Sequence, residues 1–127
     1  LLAPRTTRYL ERILPPYNVN AAAVVAALAT LANLEAVQAN VARLIAERER
    51  LREELATLPW LEPLPSQANF ILCRLRDRSG REVVDALARR GILIRRFSDP
   101  AMAGYVRISV GRPEQNEALL AALRALD

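Results

Sequence analysis

Arg107, Arg95 and Arg96 are the residues of this chain best placed to do chemistry, and that chemistry is the capture of anions. They lie in GILIRRFSDPAMAGYVRISVG, Gly91–Gly111. The pattern predicts strands over Gly91–Phe97 and Tyr105–Val110, joined by a seven-residue loop of small and turn-forming residues. Alternation along the second strand puts Val106, Ile108 and Val110 on one face and Tyr105, Arg107 and Ser109 on the other. Arg107 is thus a cation on the polar side of a strand whose other side is core. A guanidinium on a rigid strand suits two-point capture of a carboxylate or phosphate. Arg95 and Arg96, on the neighbouring strand, can hold a second anion nearby. Spacing alone favours a plainer reading, arginines that merely solvate an exposed sheet face, because surface arginines are ordinary.

Composition removes most alternatives. All 18 basic residues are arginine, and the chain has neither lysine nor histidine. Histidine general-base catalysis, lysine Schiff-base chemistry and histidine metal sites are therefore excluded for this chain alone, and no metal is expected. The net charge of +4 raises nucleic acid as a partner. Residues Arg43–Glu54 are neutral, with four arginines and four glutamates, so the excess lies elsewhere. It sits in Arg74–Arg96, where eight arginines face only Asp77, Glu82 and Asp85. Readers of single-stranded RNA stack bases on sheet aromatics, and the strands here offer only Phe70, Phe97 and Tyr105. Nucleic acid is not expected as a partner. Nor is a membrane: the longest apolar run, Ala21–Ala29, falls well short of a bilayer span. Cys73, the single cysteine, cannot form an internal disulfide; it fits a reducing compartment and is expected to be a buried, inert thiol.

The elements that must position these arginines follow in chain order. Leu1–Pro4 reads as the tail of a strand, and Thr6 or Thr7 as the cap of a short helix over Arg8–Leu14, ended by Pro15 and Pro16. Asn18 or Asn20 caps an alanine-rich helix over Ala21–Leu31. A longer helix over Leu34–Leu58 carries Val37, Val41, Leu44, Leu51, Leu55 and Leu58 on one seam, with Arg48 at the vacant position. Glu47–Arg50, Glu49–Arg52 and Arg50–Glu54 are expected to pair along it. Trp60–Leu64, bracketed by prolines, reads as an edge strand and Phe70–Leu75 as an inner one. Ser79 caps a helix over Arg81–Arg90 that Gly91 ends. Pro113 opens the last helix, with Leu119, Leu120, Leu123 and Leu126 as its apolar stripe. Beyond the short first helix, the order is helix, helix, strand, strand, helix, strand, strand, helix. This is an α+β arrangement, a small sheet covered by helices on one face. At 127 residues the chain suffices for one modest domain with a real core. It opens at Leu1 without a methionine, so a piece of a longer protein is expected.

Four segments, in this order and spacing, carry a resemblance. They are PPYNVN (Pro15–Asn20), PSQANFIL (Pro65–Leu72), RRGILIR (Arg89–Arg95) and YVRISVGRPEQNEALLAAL (Tyr105–Leu123). Together they resemble the C-terminal part of the histidinol-phosphate aminotransferases, fold-type I enzymes that depend on pyridoxal 5'-phosphate. The resemblance covers essentially the whole chain; the related threonine-phosphate decarboxylases share parts of the pattern. It implies the small C-terminal domain of a fold-type I transferase, with residues 1–33 as the connector from a larger domain. In that family Arg107 corresponds to the residue holding the substrate α-carboxylate, and Arg95 to one that helps bind the substrate phosphate. Two guanidiniums would then grip two anionic ends of histidinol phosphate. Asn69 and Tyr17 fall in family motifs, with local backbone or pocket support as their expected role.

The implied activity is amino transfer between histidinol phosphate and 2-oxoglutarate in histidine biosynthesis, by a cytoplasmic homodimer. The family's cofactor-bonding lysine is absent, so these residues are expected to be inactive alone, without covalently bound cofactor. A small phosphorylated amine is the implied partner. The competing expectation is a free-standing anion-binding or regulatory domain.

Overall fold

The computed structural model describes residues 2–15 and 18–126. The chain falls into two compact units, Leu1–Gln38 and Ala39–Asp127.

In the first unit, α1 spans Pro4–Glu11 and α2 spans Ala21–Ala32. Leu1 of the expected strand tail lies outside the described residues; the rest of that tail and the expected helix over Arg8–Leu14 are corrected here, because the helix starts at Pro4. Proline is favoured in the first turn, where its fixed φ suits the helix and its missing N–H costs no bond. Neither Thr6 nor Thr7 is the cap; that position is Ala3, whose carbonyl accepts from the Thr7 hydroxyl at 3.3 Å. Asn20 caps α2 as expected, accepting from the Ala23 N–H at 2.8 Å. Among the described residues none of α1 or α2 is buried.

α3 spans Leu34–Leu55, one turn short of the expected end. Pro59 disfavours helical geometry at Leu58 before it, and the Thr57 hydroxyl bonds the Glu54 carbonyl at 2.7 Å in the fraying turn. Arg50 bridges Glu47 and Glu117, both at 2.6 Å. Glu54 pairs instead with Arg124 at 2.5 Å. The expected Arg50–Glu54 pair is therefore replaced by bridges to the last helix.

The sheet is four-stranded and antiparallel, ordered β1-β2-β4-β3, with β1 at Leu61–Pro63, β2 at Phe70–Leu75, β3 at Arg95–Arg96 and β4 at Tyr105–Ser109. α4 covers Gly80–Ala88 and α5 covers Pro113–Arg124. The expected strand Gly91–Phe97 shrinks to two residues. The Ile92 N–H is already committed to the Leu87 carbonyl at 3.0 Å. Ile92 and Ile94 then pack on the core, leaving Leu93 84% exposed.

One face of the sheet carries Ile71, Cys73, Val106 and Ile108, all essentially inaccessible. Val83 and Leu87 of α4, Leu119, Leu120 and Leu123 of α5, and Leu51 and Leu55 of α3 complete the core. Burial pushes the Cys73 thiol up to about 12, because a thiolate there would lose its hydration. A thiol-specific reagent at pH 8 is therefore expected to label Cys73 only as fast as the fold opens. Labelling at the rate of a free thiol would contradict this.

Gly91 has φ +76° with open space around its missing Cβ. Gly91→Ala is expected to cost about 1–2 kcal/mol through backbone strain alone, read as a lower urea midpoint with unchanged slope.

Candidate functional site

The sheet face away from the core holds the arginines. β2 and β4 pair in register, Phe70 with Ser109, Leu72 with Arg107 and Arg74 with Tyr105. Directly paired residues share a face, so Phe70, Leu72 and Arg74 line up with Tyr105, Arg107 and Ser109. On the other flank of β4, Arg95 pairs with Arg107. Cα atoms so paired lie about 5 Å apart, so the structure brings Arg95 and Arg107 together, whereas Arg96 pairs with Val106 and falls on the other face of its strand.

Their surroundings differ from those of the other arginines on this face. Glu62 accepts from Arg74 Nε at 3.1 Å and Nη2 at 2.6 Å, and from Arg76 at 3.0 Å. Those two guanidiniums hold the Glu62 carboxyl below its ordinary range. Arg90 donates to the Ala122 carbonyl at 2.7 Å, and Arg78 bonds the Leu126 carbonyl and stacks on Trp60 at 4.5 Å. Much of the positive excess in Arg74–Arg96 is thus absorbed locally. Arg95 and Arg107 have no carboxylate partner among the described residues. Arg107 is half-buried, with its guanidinium carbon 5.1 Å from the Phe70 ring centroid. Its Nε is buried and makes no hydrogen bond among the described residues. A buried donor without an acceptor is costly, which sets Arg107 apart from the paired arginines beside it.

Asn69 is exposed, and its carbonyl accepts from the Val110 N–H at 2.9 Å, continuing the β2–β4 pairing by one bond. Tyr17 lies outside the described residues.

Residues 3–123 match the family model for aminotransferase class I and II. The chain belongs to that family. It is 53% identical over 119 residues to the histidinol-phosphate aminotransferase of Roseiflexus castenholzii, covering 91% of this chain and 32% of that protein. Histidinol-phosphate aminotransferase from Sinorhizobium meliloti, solved in complex with pyridoxal-5'-phosphate, superposes with a TM-score of 0.83 at 26% identity, covering 100% of this chain and 36% of that one. L-threonine-O-3-phosphate decarboxylase from Porphyromonas gingivalis superposes at 0.85 with 26% identity, over 99% of this chain and 40% of that one. The chain thus spans about a third of the length of the curated relatives it matches, 32% and 34% for two of them.

Within this family member the candidate site fits small anions and does not fit covalent attachment of a pyridoxal cofactor. Guanidiniums match carboxylates and phosphates, whereas no lysine exists to bond a pyridoxal aldehyde. Two further features were not legible in the residue pattern. Phe70 reads from the pattern only as a strand aromatic, and its place diagonal to Arg107 depends on the β2–β4 register. Asn116, 2% exposed, accepts from the Gly111 N–H at 3.0 Å and donates to the Gly111 carbonyl at 3.1 Å and to Glu47 at 2.8 Å. It fixes the turn that follows the arginine strand. Gly111 permits this close approach, since a Cβ there would meet Gln115 Oε1 at 3.0 Å.

Proposed function

We propose that this chain is the substrate-anion-binding C-terminal part of a pyridoxal-phosphate-dependent histidinol-phosphate aminotransferase. The observation that carries the reading is the cross-strand pair Arg107–Arg95, unneutralised on a face where neighbouring arginines are tied down. Identity of 53% to a named histidinol-phosphate aminotransferase supports the substrate. In this reading residues 1–33 connect to a larger domain, and the whole is a homodimer. The single, buried cysteine supports a cytoplasmic, reducing setting.

Histidinol phosphate has one anionic group, its phosphate; the other end is imidazole. The expectation of two anionic ends therefore gives way to a shared site. Arg107 and Arg95 receive the phosphate of the amino donor, and Arg107 receives a carboxylate when 2-oxoglutarate follows. Both arginines bind and orient, leaving proton transfer to groups outside this chain. A fixed anion holds the reacting carbon in line, which lowers the entropic part of the barrier. The cofactor, when bound, supplies the electron sink for amino transfer.

The test is transamination of histidinol phosphate with 2-oxoglutarate by the full reading frame that carries this chain. The 127 residues alone are expected to show no rate above background. The likeness to threonine-phosphate decarboxylase supports a second reading. Carbon dioxide release from threonine phosphate, without any need for 2-oxoglutarate, would select it.

A further inference from the structure

We propose that Phe70 is the positioning residue of this anion site, its ring holding the Arg107 guanidinium in the pose that receives a carboxylate. The proposal rests on the anion-binding reading above.

Leu72 is the residue directly opposite Arg107 in the sheet, yet the guanidinium lies over the diagonal neighbour Phe70, 5.1 Å from its ring centroid. Diagonal neighbours are within reach of long and aromatic side chains. An aromatic face attracts a cation electrostatically without taking up its N–H donors. The same sheet shows the alternative: Arg74 is held by Glu62 through two hydrogen bonds and is thereby neutralised. A carboxylate in place of Phe70 would fix Arg107 equally well and compete with the ligand. The ring fixes it and leaves the charge available.

The backbone that presents the ring is held in place. The Ser66 hydroxyl donates to the Phe70 carbonyl at 2.6 Å and accepts from the Ala68 N–H at 3.1 Å. Arg48, 8% exposed on α3, reaches the Ala68 carbonyl at 3.3 Å. Its place in the apolar seam is explained by this reach to the segment that presents Phe70.

The experiment follows the Arg107 Nε–Hε resonance of the 127-residue chain by ¹⁵N-edited NMR, assigned by its loss in Arg107→Lys. In the unsubstituted chain the proton is expected to carry a ring-current shift. Phe70→Leu, or Phe70→Met should the leucine variant fold poorly, removes the shift, and Phe70→Tyr keeps it. Titration with glutarate should show a dissociation constant raised roughly threefold to tenfold in the ring-less variant and restored in Phe70→Tyr. Urea midpoints report any loss of stability separately. An unshifted resonance in the unsubstituted chain, or a glutarate affinity indifferent to loss of the ring, overturns the proposal. A ring-current shift without any response of Arg107 to glutarate overturns the anion reading beneath it.

Discussion

On the proposed function, replacing Arg107 by leucine is expected to lower kcat/KM for transamination roughly 10²–10³-fold, the loss that follows truncating one partner of a close charge pair. The guanidinium stands on β4, backed by the Phe70 ring, with no carboxylate partner among the described residues. Arg107→Lys should recover little of the loss, because an ammonium is a point charge in place of a planar fork. Arg95 lies at the sheet edge and is exposed, so Arg95→Leu should cost less and should fall mainly on the phosphorylated substrate. The measurement is kcat/KM for histidinol phosphate and for 2-oxoglutarate separately, on the full reading frame that carries this chain. An Arg107→Leu rate within twofold of the unsubstituted enzyme would remove Arg107 from the site. Its urea midpoint should barely move, since the substitution breaks no ion pair seen among the described residues.

Asn116→Ala is expected to act the other way, on stability first. The side chain is buried and spends its amide on the Gly111 N–H, the Gly111 carbonyl and Glu47. Truncation leaves the Gly111 N–H and carbonyl without their side-chain partner, while Glu47 keeps Arg50, and each buried group left unpaired costs about 1–3 kcal/mol. A total loss of about 2–4 kcal/mol in urea denaturation is the expected result. A change below 0.5 kcal/mol, roughly that of an ordinary surface substitution, would mean that the bracket does not hold the turn. Asn116→Asp should be little better, because it places a second carboxylate against Glu47.

Glu47 also sets a pH dependence. Its hydrogen bond to Arg50 holds its carboxyl below the ordinary 4.5. A lowered folded-state value favours the ionised form on folding, so the contribution is present above pH 4.5 and fades as pH falls through the folded-state value. Glu47→Gln should flatten that part of the acid limb of a stability–pH curve.

Much of this molecule is written in local chemistry. Asn20 and Ser79 can each reach a backbone N–H at the start of the helix they precede, so those starts are readable in the chain. Pro113 and Gly91 mark a start and an end for equally local reasons, a fixed φ and a positive one. Alternation in Tyr105–Ser109 was enough to give Arg107 its side of the strand, because the side-chain period of a strand is a matter of backbone geometry. Where local rules competed, the pattern misplaced boundaries. Pro4 took the helix start from the threonines, and inward packing of Ile92 and Ile94 withdrew those residues from the sheet ladder.

The partners of the arginines lie beyond that reach. Arg74, Arg107 and Arg95 are alike as cations on strands, and residue type does not say which of them is already paired. Pairing β1 with β2 sets Glu62 against Arg74 and neutralises it, while pairing β2 with β4 brings a phenyl ring to Arg107 and leaves its charge free. Residue type and spacing fix which face an arginine occupies. Strand register, a property of contacts between distant segments, decides whether its charge is already spent.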